Sequence, residues 1–271
     1  MSGLTHNTPA PLIVFTDLDG TLLDHETYSF SAAQQALEAV SAANIPLVLA
    51  SSKTAGEMAD LAQRLPCSPA ALIVENGAGV VWPGESLAAQ TRHAELLSAL
   101  ASLPPQLRAG FSGFSEWGAA GVAADTGLPL DAAAKAAKRQ FSEPGRWQGD
   151  EAGQSAFIAA LAAKGITARH GGRYLTLSFG ADKANRMAEV AARLAPKARR
   201  IALGDAPNDA AMLEAADLGI IVANPHGTPL PPLKGEGAGH IRRTSLPGPE
   251  GWNQALCEIL ISQGLLPAEQ T

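Results

Sequence analysis

Five short apolar runs recur along this chain: LIVF (12–15), IPLVLA (45–50), ALIVEN (71–76), RIALGD (200–205) and LGIIVAN (218–224). Runs this short and this apolar read as strands buried on both faces. Helical stretches lie between or beside them. SAAQQALEAVSAAN (31–44) puts Leu37 and Val40 on one face, and in TAGEMADLAQRL (54–65) Thr54 and Glu57 have the spacing of a capping box. ADKANRMAEVAARL (181–194), NDAAMLEAA (208–216) and GWNQALCEILISQGLL (251–266) complete the helices of this part. Strands alternating with helices need right-handed crossovers, which build a parallel sheet with both faces covered. The expected fold class is α/β with a Rossmann-like core.

The rhythm breaks in the middle of the chain. GAGVVWPGE (77–85) reads as a hairpin or a strand that leaves the sheet. Residues 86–165 are Ala-rich and helical, interrupted by LPP (103–105), FSGFSEWG (111–118) and FSEPGRWQGD (141–150). ITARH (166–170) and RYLTLSF (173–179) flank Gly171–Gly172 and read as two antiparallel strands on a tight turn. This block has its own α+β composition, so it is expected to be an inserted domain. The expected division is 1–83 for the first part of the core, 84–180 for the insertion and 181–271 for the rest of the core. Residues 225–240, rich in Pro and Gly, are expected to form a surface loop, and residues 1–11 a short disordered lead-in. Trp82, Trp117, Trp147 and Trp252 read as packing residues.

Charge and cysteine content narrow the partners. The net charge is -6 over 271 residues with no basic tract, which argues against nucleic acid and anionic membranes. An anionic small-molecule substrate then needs local cations or a metal. Cys67 and Cys257 are far apart with no CxxC spacing, so neither a disulfide framework nor a zinc site is expected. No apolar run approaches the roughly 20 residues that span a bilayer. A cytoplasmic location is the expectation, and oligomeric state stays open.

Four segments carry chemistry. DLDGT (17–21) puts Asp17 and Asp19 at the carboxyl end of the first strand, where ligands bind in open α/β sheets. Residues two apart in extended backbone point the same way, so both carboxylates can face one crevice. Gly20 allows a tight turn and Thr21 adds a hydroxyl. Ser51 and Ser52 end the second strand just ahead of a helix, offering hydroxyls and N–H groups of the kind that bind phosphate. Lys183 places a cation at a helix start, against the dipole, which is more readily understood if it reaches a bound anion; a solvated surface lysine is the alternative. GDAPND (204–209) brings Asp205, Asn208 and Asp209 to another strand end, and oxygen ligands converging from two strand ends suit Mg²⁺.

In this order, DLDGT, SS, DK and GDAPND resemble the four motifs of the haloacid dehalogenase-like phosphatases. The resemblance implies that Asp17 attacks phosphorus and that Asp19 protonates the leaving alcohol and later activates water. It implies that Ser51 and Lys183 hold phosphoryl oxygens, with Ser52 and Asn208 beside them. It places Mg²⁺ on Asp17, the Asp19 carbonyl and Asp205, with Asp209 acting through water. The inserted block resembles a C2-type cap. FTDLDGTLLD, IPLVLASSKT, LIVENGAGV, KRQFSEP and GGRYLTLSFGADKANRM resemble the mannosyl-3-phosphoglycerate phosphatase family. The sequence departs from that pattern at Gln140, where an acid is expected, and at DKANR after Lys183. By this resemblance the substrate is a phosphorylated sugar-glycerate, with Glu75, Asn76, Ser142, Glu143 and Arg173 as its expected contacts. The readings that compete are a phosphatase for glucosyl-3-phosphoglycerate or another sugar phosphate, a phosphomannomutase, and a non-catalytic phosphate-binding protein.

Overall fold

The computed structural model describes residues 11–85, 91–171, 173–180 and 182–268; the lead-in expected over 1–11 lies, but for Pro11, outside them. The first elements are β1 (Leu12–Thr16), α1 (Gln34–Ala42), β2 (Leu47–Ala50), α2 (Ala55–Arg64), β3 (Ala71–Val74) and β4 (Gly79–Val81). Then come α3 (His93–Ala101), α4 (Pro105–Arg108), β5 (Phe111–Gly113), α5 (Phe114–Thr126), α6 (Leu130–Ala137), β6 (Ser142–Trp147), α7 (Glu151–Ala162), β7 (Thr167–Gly171) and β8 (Tyr174–Ser178). The chain closes with α8 (Lys183–Leu194), β9 (Arg199–Gly204), α9 (Ala210–Ala215), β10 (Leu218–Ala223), β11 (Ile241–Pro247) and α10 (Gly248–Ser262). Two compact units result. One holds Met1–Ala50, Arg64–Ala71 and Met187–Thr271, the other Ser51–Gln63 and Leu72–Arg186.

In the first unit the strands run parallel in the order β11-β10-β9-β1-β2. All five residues of β1 are buried, as a strand covered on both faces requires. Its register sets Thr16 beside Leu49 on one side and Leu203 on the other. The core gathers Ile13, Phe15, Leu37, Val48, Ile201, Ile220 and Trp252, all almost inaccessible to solvent. β11 was not expected. IRRTSLP carries two arginines and only Ile241 is buried, because an edge strand needs no continuous apolar run. The closing helix begins at Gly248, three residues earlier than its apolar pattern starts. Residues 225–240 contain no strand or helix, in line with the loop reading. Both cysteines are buried and unbonded.

In the second unit β3 and β4 form an antiparallel hairpin, with Val74 opposite Gly79. A separate antiparallel sheet has the order β5-β6-β8-β7. The alternation in YLTLS drives Leu175 and Leu177 into a core with Leu96, Leu100, Phe111, Phe157 and Leu161. β7 and β8 pair through Gly171 and Tyr174, as the two runs around Gly171–Gly172 require; Gly172 itself lies outside the described residues. Residues 142–147, read from the sequence as an interruption, form the interior strand β6 instead. Pro144 is tolerated there because β5 runs beside residues 145–147 only, so Pro144 has a neighbour on the β8 side alone. Thr54 and Glu57 do form a capping box at α2: the Thr54 N–H donates to Glu57 Oε2 at 2.8 Å and the Glu57 N–H to Thr54 Oγ1 at 3.2 Å. No helix among the described residues is long and apolar enough to cross a membrane.

Candidate active site

The sheet of the first unit reverses its winding between β1 and β9. β1 leads through α1 to β2 on one side, and β9 through α9 to β10 on the other. Such a reversal opens a crevice at the carboxyl ends of the two central strands. Asp17 follows β1, and Asp205 follows β9. The Asp17 N–H still donates to the Leu203 carbonyl at 2.9 Å, so its side chain leaves the sheet from a fixed position.

The chain then turns sharply. The Thr21 and Leu23 N–H groups both donate to the Leu18 carbonyl, at 3.1 and 2.8 Å. Gly20 sits at φ +78°, and a Cβ there would lie 2.3 Å from Asn224 Nδ2 and 3.0 Å from Asp205 Oδ2. Only glycine meets both demands. The turn brings the buried Thr21 hydroxyl to Asp205 Oδ1 at 2.6 Å. Asn224, at the end of β10, donates to Asp205 Oδ2 at 2.7 Å. Asn224 went unnoticed in the sequence, although it ends an apolar strand just as Asp17 and Asp205 do. Asp209 Oδ2 accepts the N–H groups of Asp205 and Ala206 at 3.2 and 3.1 Å, folding its carboxylate back over its own turn.

Asp17, Asp205 and Asp209 each offer a carboxylate oxygen within 4.8 Å of the others, and all three are buried. Three like charges so close repel by roughly 3 kcal/mol per pair at an intermediate dielectric. The donors on Asp205 and Asp209 offset part of this, and a bound divalent cation would offset the rest. An all-oxygen donor set suits a hard cation. Asp19, half-buried, makes a backbone bridge to Leu23, and Asn208 is exposed in the turn ahead of α9.

The other expected residues lie in the second unit. Ser51 is buried, its N–H on the Ile73 carbonyl at 2.9 Å, while Ser52 is exposed. Lys183 opens α8 and is only 1% exposed. Asp182 caps that helix by accepting the Asn185 N–H at 2.9 Å. The buried Glu75 carboxylate accepts the N–H groups of Gln140, Phe141 and Ser142 and the Ser142 hydroxyl. Arg139, another residue missed in the sequence, brings its Nε to 3.3 Å of Glu75 and its Nη2 to 2.9 Å of Ser142 Oγ. Arg173 is exposed and donates to the Asp125 carbonyl at 2.8 Å.

Glu143 is fully buried. Its carboxylate takes the Ser115 N–H at 2.8 Å, the Ser115 hydroxyl, and His93 Nε2 at 2.7 Å. It therefore ties the starts of α3 and α5 to β6. Replacing Glu143 by Ala leaves these buried donors unmatched, at an expected cost of about 3 kcal/mol. Thermal unfolding of the variant is expected to show a clearly lowered Tm. An unchanged Tm with a raised KM would instead make Glu143 a substrate contact.

The haloacid dehalogenase-like hydrolase family matches residues 14–119 and 150–228. A glucosyl-3-phosphoglycerate/mannosyl-3-phosphoglycerate phosphatase from Methanococcoides burtonii is 31% identical over 92% of this chain and 97% of its own. Among solved structures, a phosphatase of the haloalkanoate superfamily from Bacteroides thetaiotaomicron superposes with a TM-score of 0.58 at 19% identity, covering 98% of this chain and all of its own (100%). A sugar phosphatase of subclass IIB gives 0.60 at 16% identity, covering 94% and 100%. With the strand-end carboxylates in place and the family's pattern across most of its length, the chain belongs to the haloacid dehalogenase-like hydrolases.

Proposed function

We propose that this chain is a Mg²⁺-dependent phosphatase that hydrolyses 2-O-(α-mannosyl)-3-phosphoglycerate to mannosylglycerate and phosphate. The observation that carries the reading is the buried Asp17, Asp205 and Asp209 cluster at the reversal of the sheet. The name of the Methanococcoides burtonii relative supports the substrate, and it equally supports glucosyl-3-phosphoglycerate as a second one. The product would serve as a compatible solute.

Asp17, the Asp19 carbonyl and Asp205 would hold the cation, with Asp209 behind them. When bound, Mg²⁺ lowers the repulsion between a carboxylate and a phosphate dianion. Asp17 attacks phosphorus, forming a bond from its oxygen while the ester oxygen departs. Asp19 gives its proton to the departing oxygen. It then takes a proton from water as that water attacks the aspartyl-phosphate, releasing phosphate and restoring Asp17. Ser51 and Lys183 hold the phosphoryl oxygens, with Ser52 and Asn208 beside them. The α+β block of the second unit serves as the cap, and the exposed Arg173 supplies a sugar or glycerate contact, whereas Ser142 is buried with its hydroxyl on Glu75.

Phosphate release from the mannosyl ester tests this, run beside glucosyl-3-phosphoglycerate, sucrose-6-phosphate, mannose-6-phosphate and 3-phosphoglycerate. The expected result is kcat/KM of roughly 10⁴ M⁻¹s⁻¹ or more for a glycosyl phosphoglycerate, well above the rest. EDTA is expected to abolish release and Mg²⁺ to restore it. Undiminished turnover in EDTA, or preference for a simple sugar phosphate, would contradict the reading.

A further inference from the structure

Three consecutive residues of the turn between β3 and β4 lie in the left-handed region: Glu75 at φ +53°, Asn76 at +60° and Gly77 at +88°. For the two that are not glycine this costs roughly 1–2 kcal/mol each. A hairpin has cheaper turns available. What the conformation gains is contact with three separate segments of the second unit.

The first is the end of the Ser51–Lys53 stretch. The Glu75 N–H donates to the Lys53 carbonyl and the Asn76 N–H to the Ser51 carbonyl, both at 2.9 Å. The second is residues 139–142, gathered by the Glu75 carboxylate as described above. Arg139 also reaches the Ser52 carbonyl, at 3.4 Å. The third is the start of α8. A Cβ on Gly77 would lie 2.3 Å from the Asp182 carbonyl carbon and 2.6 Å from Lys183 N, so the two backbones touch. One turn further along α8, Arg186 Nε closes the contact on the Gly77 carbonyl at 3.1 Å.

We infer that the Glu75–Gly77 turn is a positioning element that sets the Ser51–Ser52 segment against the start of the Lys183 helix so that both meet one phosphoryl group. Glu75 and Gly77 act through Ser51 and Lys183 rather than by touching substrate. The inference rests on the phosphatase reading for what those two residues hold. Phosphate affinity then depends on a carboxylate that faces a different loop.

The test is calorimetric titration of inorganic phosphate, with saturating Mg²⁺, into wild type, Glu75→Gln and Gly77→Ala. Glu75→Gln keeps the shape but turns an amide NH₂ toward the donors of 140–142, so it is the variant most able to fold. Circular dichroism checks that it does. The phosphate Kd is expected to weaken about tenfold or more in Glu75→Gln, and kcat/KM for a phosphate monoester to fall roughly a hundredfold in Gly77→Ala, as for a misplaced catalytic group. A merely structural role would lower Tm and leave the phosphate Kd of the folded protein within about twofold of wild type, and that result overturns the inference. If wild type binds phosphate but hydrolyses no ester, the phosphatase reading falls while the titration still decides this one. If wild type binds no phosphate, both fall.

Discussion

Asp17→Asn is expected to lower kcat by at least roughly a thousandfold, and at the same time to lose most of the stabilisation that Mg²⁺ gives the wild type. The first effect follows from the loss of the attacking oxygen, since removing a nucleophile leaves only the catalysis due to binding and charge stabilisation. The second follows from the cluster. Three buried carboxylates lie within 4.8 Å of one another, an oxygen set that suits a hard cation. A ligand that binds the folded state raises Tm, and a variant that holds the metal less well gains less from it. Phosphate release and thermal unfolding, each with and without metal, check both halves. A variant that loses activity but gains as much Tm from Mg²⁺ as wild type would mean that Asp17 does not hold the metal.

Trp252→Ala is expected to have the largest effect on stability. The side chain is fully buried in α10, and its Nε1–H donates to Thr16 Oγ1 at 2.9 Å. That hydroxyl in turn donates to the Asp17 carbonyl at 2.7 Å. Truncation removes a large apolar surface and leaves a cavity, about 3–5 kcal/mol together. In a chain of 271 residues this is a fall in Tm on the order of 10 °C. Trp252→Phe keeps most of the volume and loses only the N–H, so about 1 kcal/mol is expected. A loss in the Phe variant as large as in the Ala variant would place the stabilisation in the hydrogen bond rather than in packing.

The strand ends were legible because the physics that buries a strand and the physics that places a ligand act at the same point. LIVFT and IALG are buried, so the first charged residues after them, Asp17 and Asp205, leave the sheet at its carboxyl edge. The same logic applied to LGIIVAN leads to Asn224, which donates to Asp205. β6 was not legible, because Pro144 and Gly145 spell a loop until the neighbouring strand is known to stop short. β11 was not legible because an edge strand hides in polar sequence. The partners of Glu75 lie 65 to 67 residues further along the chain, and no local pattern announces a carboxylate that gathers three backbone amides there.

Phosphate transfer is expected to pass through Asp17. The direct measurement is acid quench of the enzyme during turnover of mannosyl-3-phosphoglycerate with Mg²⁺, followed by mass spectrometry of the peptide spanning Leu12 to Asp24. The expected result is a transient phosphate adduct on Asp17 that disappears as substrate runs out and never forms in Asp17→Asn. Steady turnover with no adduct, or an adduct on another residue, would contradict it.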